Sequence, residues 1–275
     1  MVTSQDITKS LSELGIEEGY SILTHSSFKS LGETENGADT VIRGMQQAVG
    51  ESGTVIFPTL CQEDWNNVYK NWNLDANSDV GYLTNYFRKL PGALRSNQAT
   101  HSVAAIGKDA AYITQTHGQT GLRYGIFGDT PFSADSPWEK MYHMDTKIIF
   151  LGVGIRKCTF RHYAEYCFMD NYLKRAENSL NYRELKEQVW SYDRWDDAGV
   201  WPHINSEYVQ GVLEQKGKVF KATCGNAELL MVSSKDFVNA CIKLLKEKEV
   251  EALSNYHEFW TAEKTLEWLK EIDSL

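Results

Sequence analysis

The sequence predicts an α/β protein. Short apolar runs, Tyr20 to Thr24, Thr54 to Phe57 and Lys147 to Val153, alternate with stretches whose apolar residues recur every three or four positions, and glycine or proline punctuates the changes between them. With 42% of 275 residues hydrophobic and 24% charged, the chain can bury a sizeable core, which excludes a disordered tail protein.

Ile7, Leu11 and Leu14 share a helical face behind Ser4, a cap candidate, and Gly15 ends that helix. Tyr20 to Thr24 is a strand, and the polar loop from His25 to Gly37 leads to a helix through Val41, Ile42, Met45, Ala48 and Val49, closed by Gly50. Thr54 to Phe57 is a second buried strand, stopped by Pro58. From Leu60 to Gly81 no period persists, and a loop of about 20 residues in a compact domain marks a lid or wall. Tyr82, Leu83, Tyr86, Phe87 and Leu90 form a helix face ended by Pro91-Gly92. A strand from His101 to Ile106 and a helix from Ala110 to Thr114 follow. A glycine-rich loop, His117 to Pro137, precedes a short helix around Trp138 to Tyr142 and the strand Lys147 to Val153, where this reading completes the central sheet. Cys158 to Met169 reads as a buried helix with His162 and Glu165 three apart on one face. Residues 180–232 read as shorter strands and loops, with a helix near Ser206 to Gln215 and a strand from Glu228 to Val232. Helices at Lys235–Lys246 and His257–Ile272 finish the chain. No repeat or linker divides it, so residues 1–275 read as a single domain.

Lys and Arg number 28 against 37 Asp and Glu, a net charge of −9, which disfavours nucleic acid and anionic membranes and favours cationic ligands. No stretch reaches the roughly 18–20 uninterrupted apolar residues of a membrane helix. The start, Met1-Val2-Thr3-Ser4-Gln5-Asp6, has no basic region before an apolar core, so the expected location is the cytoplasm. The cysteines, Cys61, Cys158, Cys167, Cys224 and Cys241, are odd in number and scattered, which signals neither a disulfide framework nor a structural zinc site. Cys158 and Cys167 raise a thiol nucleophile near His162, against the plainer reading of buried apolar residues.

Chemistry concentrates in two places. The loop His25-Ser26-Ser27-Phe28-Lys29-Ser30-Leu31-Gly32 leaves a buried strand toward a helix N-terminus, and its hydroxyls, lysine and backbone N–H groups suit either an anion or a plain capped turn. Its spacing matches neither G-x-x-x-x-G-K-[ST] nor G-x-G-x-x-G. Among seven histidines, His162 with Glu165 is best placed for general-base work, because a carboxylate fixes the tautomer and stabilises the imidazolium. His25, His101 and His117 read as structural, His143, His203 and His257 as background. A zinc site from His101, His117 and His162 has no support in spacing, so no metal is expected. The absence of G-x-S-x-G weakens an acyl-serine mechanism.

Six segments together resemble the aminoglycoside 3-N-acetyltransferase family. They are Thr24 to Gly32, Gly53 to Thr59, Arg95-Ser96 through His101 to Gly107, Ser136-Pro137, Leu151 to Gly154, and Thr159-Phe160-Arg161-His162-Tyr163-Ala164-Glu165. They occur in family order over roughly residues 1–235. The resemblance implies a central mixed sheet flanked by helices, distinct from the smaller GNAT acetyltransferases. It also implies acyl transfer from acetyl-CoA, as cosubstrate, to an amine of an amino sugar by direct attack in a ternary complex. On the resemblance, Ser26, Ser27, Lys29, Ser30, Leu31 and Gly32 hold the CoA pyrophosphate, and Thr59, Ser102 and Val103 line the pantetheine channel. His162 is the general base, and Glu165 its orienter unless another acid takes that place.

Glu63, Asp64, Asp75, Asp79, Asp193, Asp196 and Asp197 lie where an acceptor pocket would be walled, or are solvated loop acids, and Trp65, Trp72, Trp190, Trp195 and Trp201 offer faces for sugar rings. An aminoglycoside and a nucleotide-linked amino sugar of polysaccharide biosynthesis both fit as acceptor, and a non-catalytic protein that kept the fold is the third reading. Tyr256, Phe259, Trp260, Leu266 and Trp268 are expected to pack back on the sheet, which leaves a homodimer open.

Overall fold

In the computed structural model, which describes residues 1–63, 68–119, 129–190, 200–255 and 261–274, Thr3 rather than Ser4 caps the first helix. Its hydroxyl accepts the Asp6 N–H while the Asp6 carboxylate accepts the Thr3 N–H at 2.9 Å, a reciprocal box that satisfies two end donors. The elements then run α1 (Ser4–Glu13), β1 (Ser21–Ser26), α2 (Ala38–Val49), β2 (Thr54–Pro58), α3 (Val68–Asn71), α4 (Tyr82–Phe87), β3 (Leu94–Arg95), β4 (Val103–Gly107), α5 (Ala110–Thr114), α6 (Asp129–Phe132), α7 (Pro137–His143) and β5 (Lys147–Leu151). They continue as α8 (Phe160–Arg175), α9 (Tyr182–Trp190), α10 (Ser206–Gln215), β6 (Phe220–Cys224), β7 (Ala227–Ser233), α11 (Ser234–Lys246) and α12 (Ala262–Asp273).

Contacts divide the chain into two compact units, residues 1–157 with 216–236, and residues 158–215 with 237–275. The first unit holds a seven-stranded mixed sheet in the order β3-β4-β2-β1-β5-β7-β6. Its centre is parallel, with Leu23 paired to Ile56 of β2 and Ile148 of β5, and both flanks are antiparallel. Ile22, Val55, Phe57, Ile149, Leu151 and Leu229 on one face pack against Ile7 and Leu11 of α1, Val41 and Met45 of α2, and Leu83 and Phe87 of α4. Phe57 and Phe87 meet with ring centroids 4.8 Å apart. The central strands are buried on both faces, as parallel strands usually are, which is why they read as continuous apolar runs.

The sheet is not complete at residue 153. β7 adds antiparallel to the free edge of β5, pairing Leu151 with Leu229, and β6 returns on it through a turn at Gly225-Asn226. The alternation along β7 shows that it is a strand, but which edge it joins is a long-range choice that the pattern does not carry.

In the second unit, α8 extends well past Met169. Tyr172 and Leu173 continue its buried stripe while Lys174 and Asp170 pair on the outside. The stretch after 180 holds a helix where strands and loops are expected. Leu185 and Val189, four apart, are buried, and Arg183 pairs with Glu187 across the same turn, so the local period is helical. Trp268, Leu269 and Ile272 of α12 are buried, and this helix packs against α8. Asp64, Trp65, Asn66, Asn67, Asp193, Trp195, Asp196, Asp197, Tyr256, His257, Phe259, Trp260 and the Trp190 side chain lie outside the described residues. No helix among the described residues is long and apolar enough to cross a membrane.

Candidate active site

The first turn of α8 places His162 and Glu165 on one face, three residues apart, and the carboxylate Oε2 lies 2.8 Å from His162 Nδ1. Glu165 is fully buried, whereas 16% of the His162 side chain is exposed. Two further donors reach the same carboxylate. Trp201 Nε1–H donates to Oε2 at 2.9 Å, and the Ile204 backbone N–H donates to Oε1 at 2.9 Å.

Burial alone raises a carboxyl pKa, yet His162, through its hydrogen bond as well as its charge, and then Arg161 and His203 hold Glu165 below its ordinary value, so it is an anion at neutral pH. His162 is pushed below its usual range by burial and by the charge of Arg161, against the opposing pull of Glu165, so it is neutral there. A neutral imidazole facing a carboxylate carries its proton on Nδ1, which leaves the lone pair on Nε2. The other neighbour agrees, since Arg161 Nε–H donates to His162 Nε2 at 3.3 Å. The result is an imidazole of fixed tautomer with a basic nitrogen on its partly exposed side.

Arg161, Trp201, His203 and Ile204 were not singled out for this site from the sequence. Arg161 lies within the quoted motif, but a charge beside a histidine signals nothing by itself. The sequence offers Trp201 as a face for a sugar, but it is only 2% exposed and its indole N–H is committed to Glu165. It lies 36 positions from Glu165, too far for any local pattern to pair them.

In the first unit, Ser27 extends the β1–β5 ladder by donating its N–H to Leu151 O at 2.8 Å, and the chain then makes a single 3-10 turn, Phe28–Leu31. The hydroxyl loop therefore opens into one short turn, and α2 starts only at Ala38 behind Gly37. The Ser30 hydroxyl donates to Ser27 O at 2.6 Å, Leu31 is buried, Lys29 is exposed and Gly32 has φ +82°. The loop lies tight against the end of β5, since a Cβ on Gly152, itself at φ +63°, would collide with Ser30 Oγ.

Thr59, Ser102 and Val103 are fully buried at the join of β2 and β4, and the Thr59 and Ser102 hydroxyls lie 2.9 Å apart. Arg95 Nε donates to both hydroxyls, its Nη1 to Leu74 O and Ala76 O, and its Nη2 to Thr59 O, with the guanidinium 5.4 Å from the Trp72 ring centroid. This one cation fastens the backbone at Leu74 and Ala76 to the sheet edge. A cavity of about 200 Å³ opens there, lined by Cys61, Gln62, Trp72, Asn77 and Asp79 among others. Glu63, Asp75 and Asp79 are exposed, and Asp79 Oδ2 accepts the Glu63 N–H at 2.8 Å.

The remaining candidates have structural employment. His117 receives the Ser96 hydroxyl at Nδ1 and donates Nε2–H to Pro131 O at 3.0 Å, which leaves neither nitrogen for a metal. His101 is buried, with Nδ1 3.0 Å from Thr100 Oγ1. Burial pushes the Cys158 thiol up to about 12 and Cys241 well above its ordinary value, so neither is a thiolate nucleophile at neutral pH, while Cys167, the other thiol considered beside His162, is half-buried on α8. All five cysteines are free.

The profile of a family described as aminoglycoside 3-N-acetyltransferase matches residues 23–246. The SPbeta prophage-derived aminoglycoside N(3')-acetyltransferase-like protein YokD of Bacillus subtilis (strain 168) is 30% identical over 274 residues, covering 89% of this chain and 95% of that protein. Aminoglycoside N(3)-acetyltransferase III of Salmonella sp is 29% identical over 182 residues, which span 60% of each chain. Among solved structures, AAC-IIIb in binary complex with CoASH superposes with a TM-score of 0.67 at 18% identity, covering 90% of this chain and 97% of that one, which is a likeness of fold.

Proposed function

The chain belongs to the aminoglycoside 3-N-acetyltransferase family, and from that premise we propose that residues 1–275 act as one acetyltransferase domain that moves the acetyl group of acetyl-CoA to an amine of an aminoglycoside or related amino sugar. The observation that carries this reading is the buried Glu165 carboxylate, which holds the His162 Nδ1 proton so that Nε2 is the base. An amine is mostly protonated near neutral pH and must shed a proton to attack a thioester carbonyl, and a neutral imidazole backed by a carboxylate accepts it. The amine nitrogen forms the new bond to the acetyl carbon, the carbon–sulfur bond breaks, and CoA leaves as the thiol. This direct attack in a ternary complex needs no enzyme nucleophile, which agrees with the buried thiols of Cys158 and Cys241.

On the donor side, Ser26, Ser27, Lys29, Ser30, Leu31 and Gly32 bind the pyrophosphate, and Thr59, Ser102 and Val103 form the wall behind the pantetheine arm. The short 3-10 turn and the exposed Lys29 support an anion site, and the solved likeness with CoASH supports CoA as the donor's leaving group. The test is thiol release from acetyl-CoA over a panel of amines, run with wild type and His162→Ala. Acceptor-dependent release that collapses in the variant, with acetyl-CoA binding retained, supports the assignment. Unchanged turnover in His162→Ala overturns it.

A further inference from the structure

We propose that Arg161 forms an anion subsite beside the base, and that it selects amine acceptors carrying a phosphate or carboxylate near the reacting nitrogen over polycationic ones. The inference rests on the acyl-transfer reading and narrows its acceptor to related amino sugars that carry an anion, away from the polycationic aminoglycosides.

Three observations carry it. Arg161 is half-buried on the first turn of α8, and among the described residues its guanidinium makes no ion pair, its hydrogen bond being the one to His162 Nε2. A partly desolvated guanidinium with open donors is the preferred partner of a planar or tetrahedral oxyanion, which it grips with two parallel bonds. No acidic residue occupies the first turn of α8, so the positive end of the helix dipole adds to the Arg161 charge. Glu165, on the next turn of the helix, is fully buried and already accepts three N–H donors.

The contact also couples recognition to chemistry. Arg161 Nε–H occupies the lone pair that the incoming amine must use. An acceptor oxyanion draws the guanidinium toward itself and uncovers Nε2, so the base is released as the right substrate arrives. A polycation offers no such partner and meets a like charge at contact distance. The chain's overall charge of −9 does not reverse this, because exposed charges beyond roughly 8 Å are largely screened at physiological salt. The CoA phosphates are not the anion in question, since the pantetheine arm separates them from the thioester where amine and base meet.

The test is calorimetric binding of glucosamine, glucosamine 6-phosphate and gentamicin to the full chain saturated with CoA, for wild type, Arg161→Leu and Arg161→Gln, alongside thiol release with the same amines. In wild type the phosphate is expected to raise affinity by about ten- to a hundredfold over glucosamine, the worth of hydrogen bonds to a charged group. Either variant is expected to bring that ratio to within about twofold of unity and to bind gentamicin more tightly. Arg161→Gln serves if Arg161→Leu does not fold. A wild-type ratio near one, or a ratio that survives both substitutions, overturns the proposal. An Arg161-dependent ratio without thiol release from any amine overturns acyl transfer and leaves the anion subsite standing.

Discussion

Glu165→Gln isolates one charge in a site where everything around it is fixed. The wild-type carboxylate accepts from His162 Nδ1, Trp201 Nε1 and Ile204 N at 2.8, 2.9 and 2.9 Å, and all three partners are donors. A carboxylate has no hydrogen to clash with them, whereas glutamine replaces one acceptor oxygen with an NH2. The better orientation keeps the amide oxygen on His162 and Trp201 and turns NH2 toward the Ile204 N–H. That leaves one buried donor–donor contact, costing about 1–3 kcal/mol in stability. The imidazole tautomer survives, so the remaining loss is electrostatic. Proton transfer to His162 creates an imidazolium whose charge lies about 4 Å from the carboxylate, worth about 4 kcal/mol at an effective dielectric of 20. Because that attraction develops with proton transfer, kcat/KM is expected to fall by about a thousandfold with little change in acetyl-CoA affinity. The acid limb of the pH profile should also move to lower pH, since Glu165 is what raises His162 against burial. The assay is steady-state thiol release at several pH values, with thermal melting to confirm the fold. If Glu165→Gln keeps kcat/KM within about threefold of wild type while folded, the charge is not assisting the base and the argument fails.

Three further expectations are independent of that one. Gly152→Ala places a methyl group against Ser30 and puts alanine at φ +63°, costing about 1–2 kcal/mol of strain, so acetyl-CoA affinity should fall more than the melting temperature; calorimetric titration of both proteins decides it. Arg95→Lys cannot reach Thr59, Ser102, Leu74 and Ala76 together, so it should loosen the 68–79 segment by about 1–3 kcal/mol, and limited proteolysis that is no faster than wild type would refute the clasp. Burial lowers His25 and His117 to about 3, so between roughly pH 6.5 and 3 the unfolded chain binds more protons and stability declines as pH falls, by up to about 1.4 kcal/mol per unit for each group. His25 stacks on Phe150 with its Nε2 unpartnered among the described residues, so His25→Phe should flatten that slope by up to one group in urea titrations at pH 7, 6 and 5, and an unchanged slope counts against the assignment.

What the sequence determined by itself was local. The apolar runs Tyr20 to Thr24, Thr54 to Phe57 and Lys147 to Val153 read as strands and lie in the strands Ser21–Ser26, Thr54–Pro58 and Lys147–Leu151 within a residue or two at their ends, and the helix near Ser206 to Gln215 was legible too, because these patterns report on neighbours within a few positions. The i, i+3 spacing likewise puts His162 and Glu165 on one helical face, where their side chains meet. Where residues had to meet across long separations, only the tertiary structure decided. The edge of β5 that β7 joins, and the approach of Trp201 and Ile204 to Glu165, depend on chain reversals of tens of residues whose entropic cost is repaid by the whole packed core. The helix Tyr182–Trp190 lay between the two cases, since its period was present but carried by only Leu185 and Val189. Whether a buried carboxylate is a liability or an anchor follows from how many donors converge on it. That is a property of three-dimensional packing, and it is why Glu165 is held as an anion where burial alone would have neutralised it.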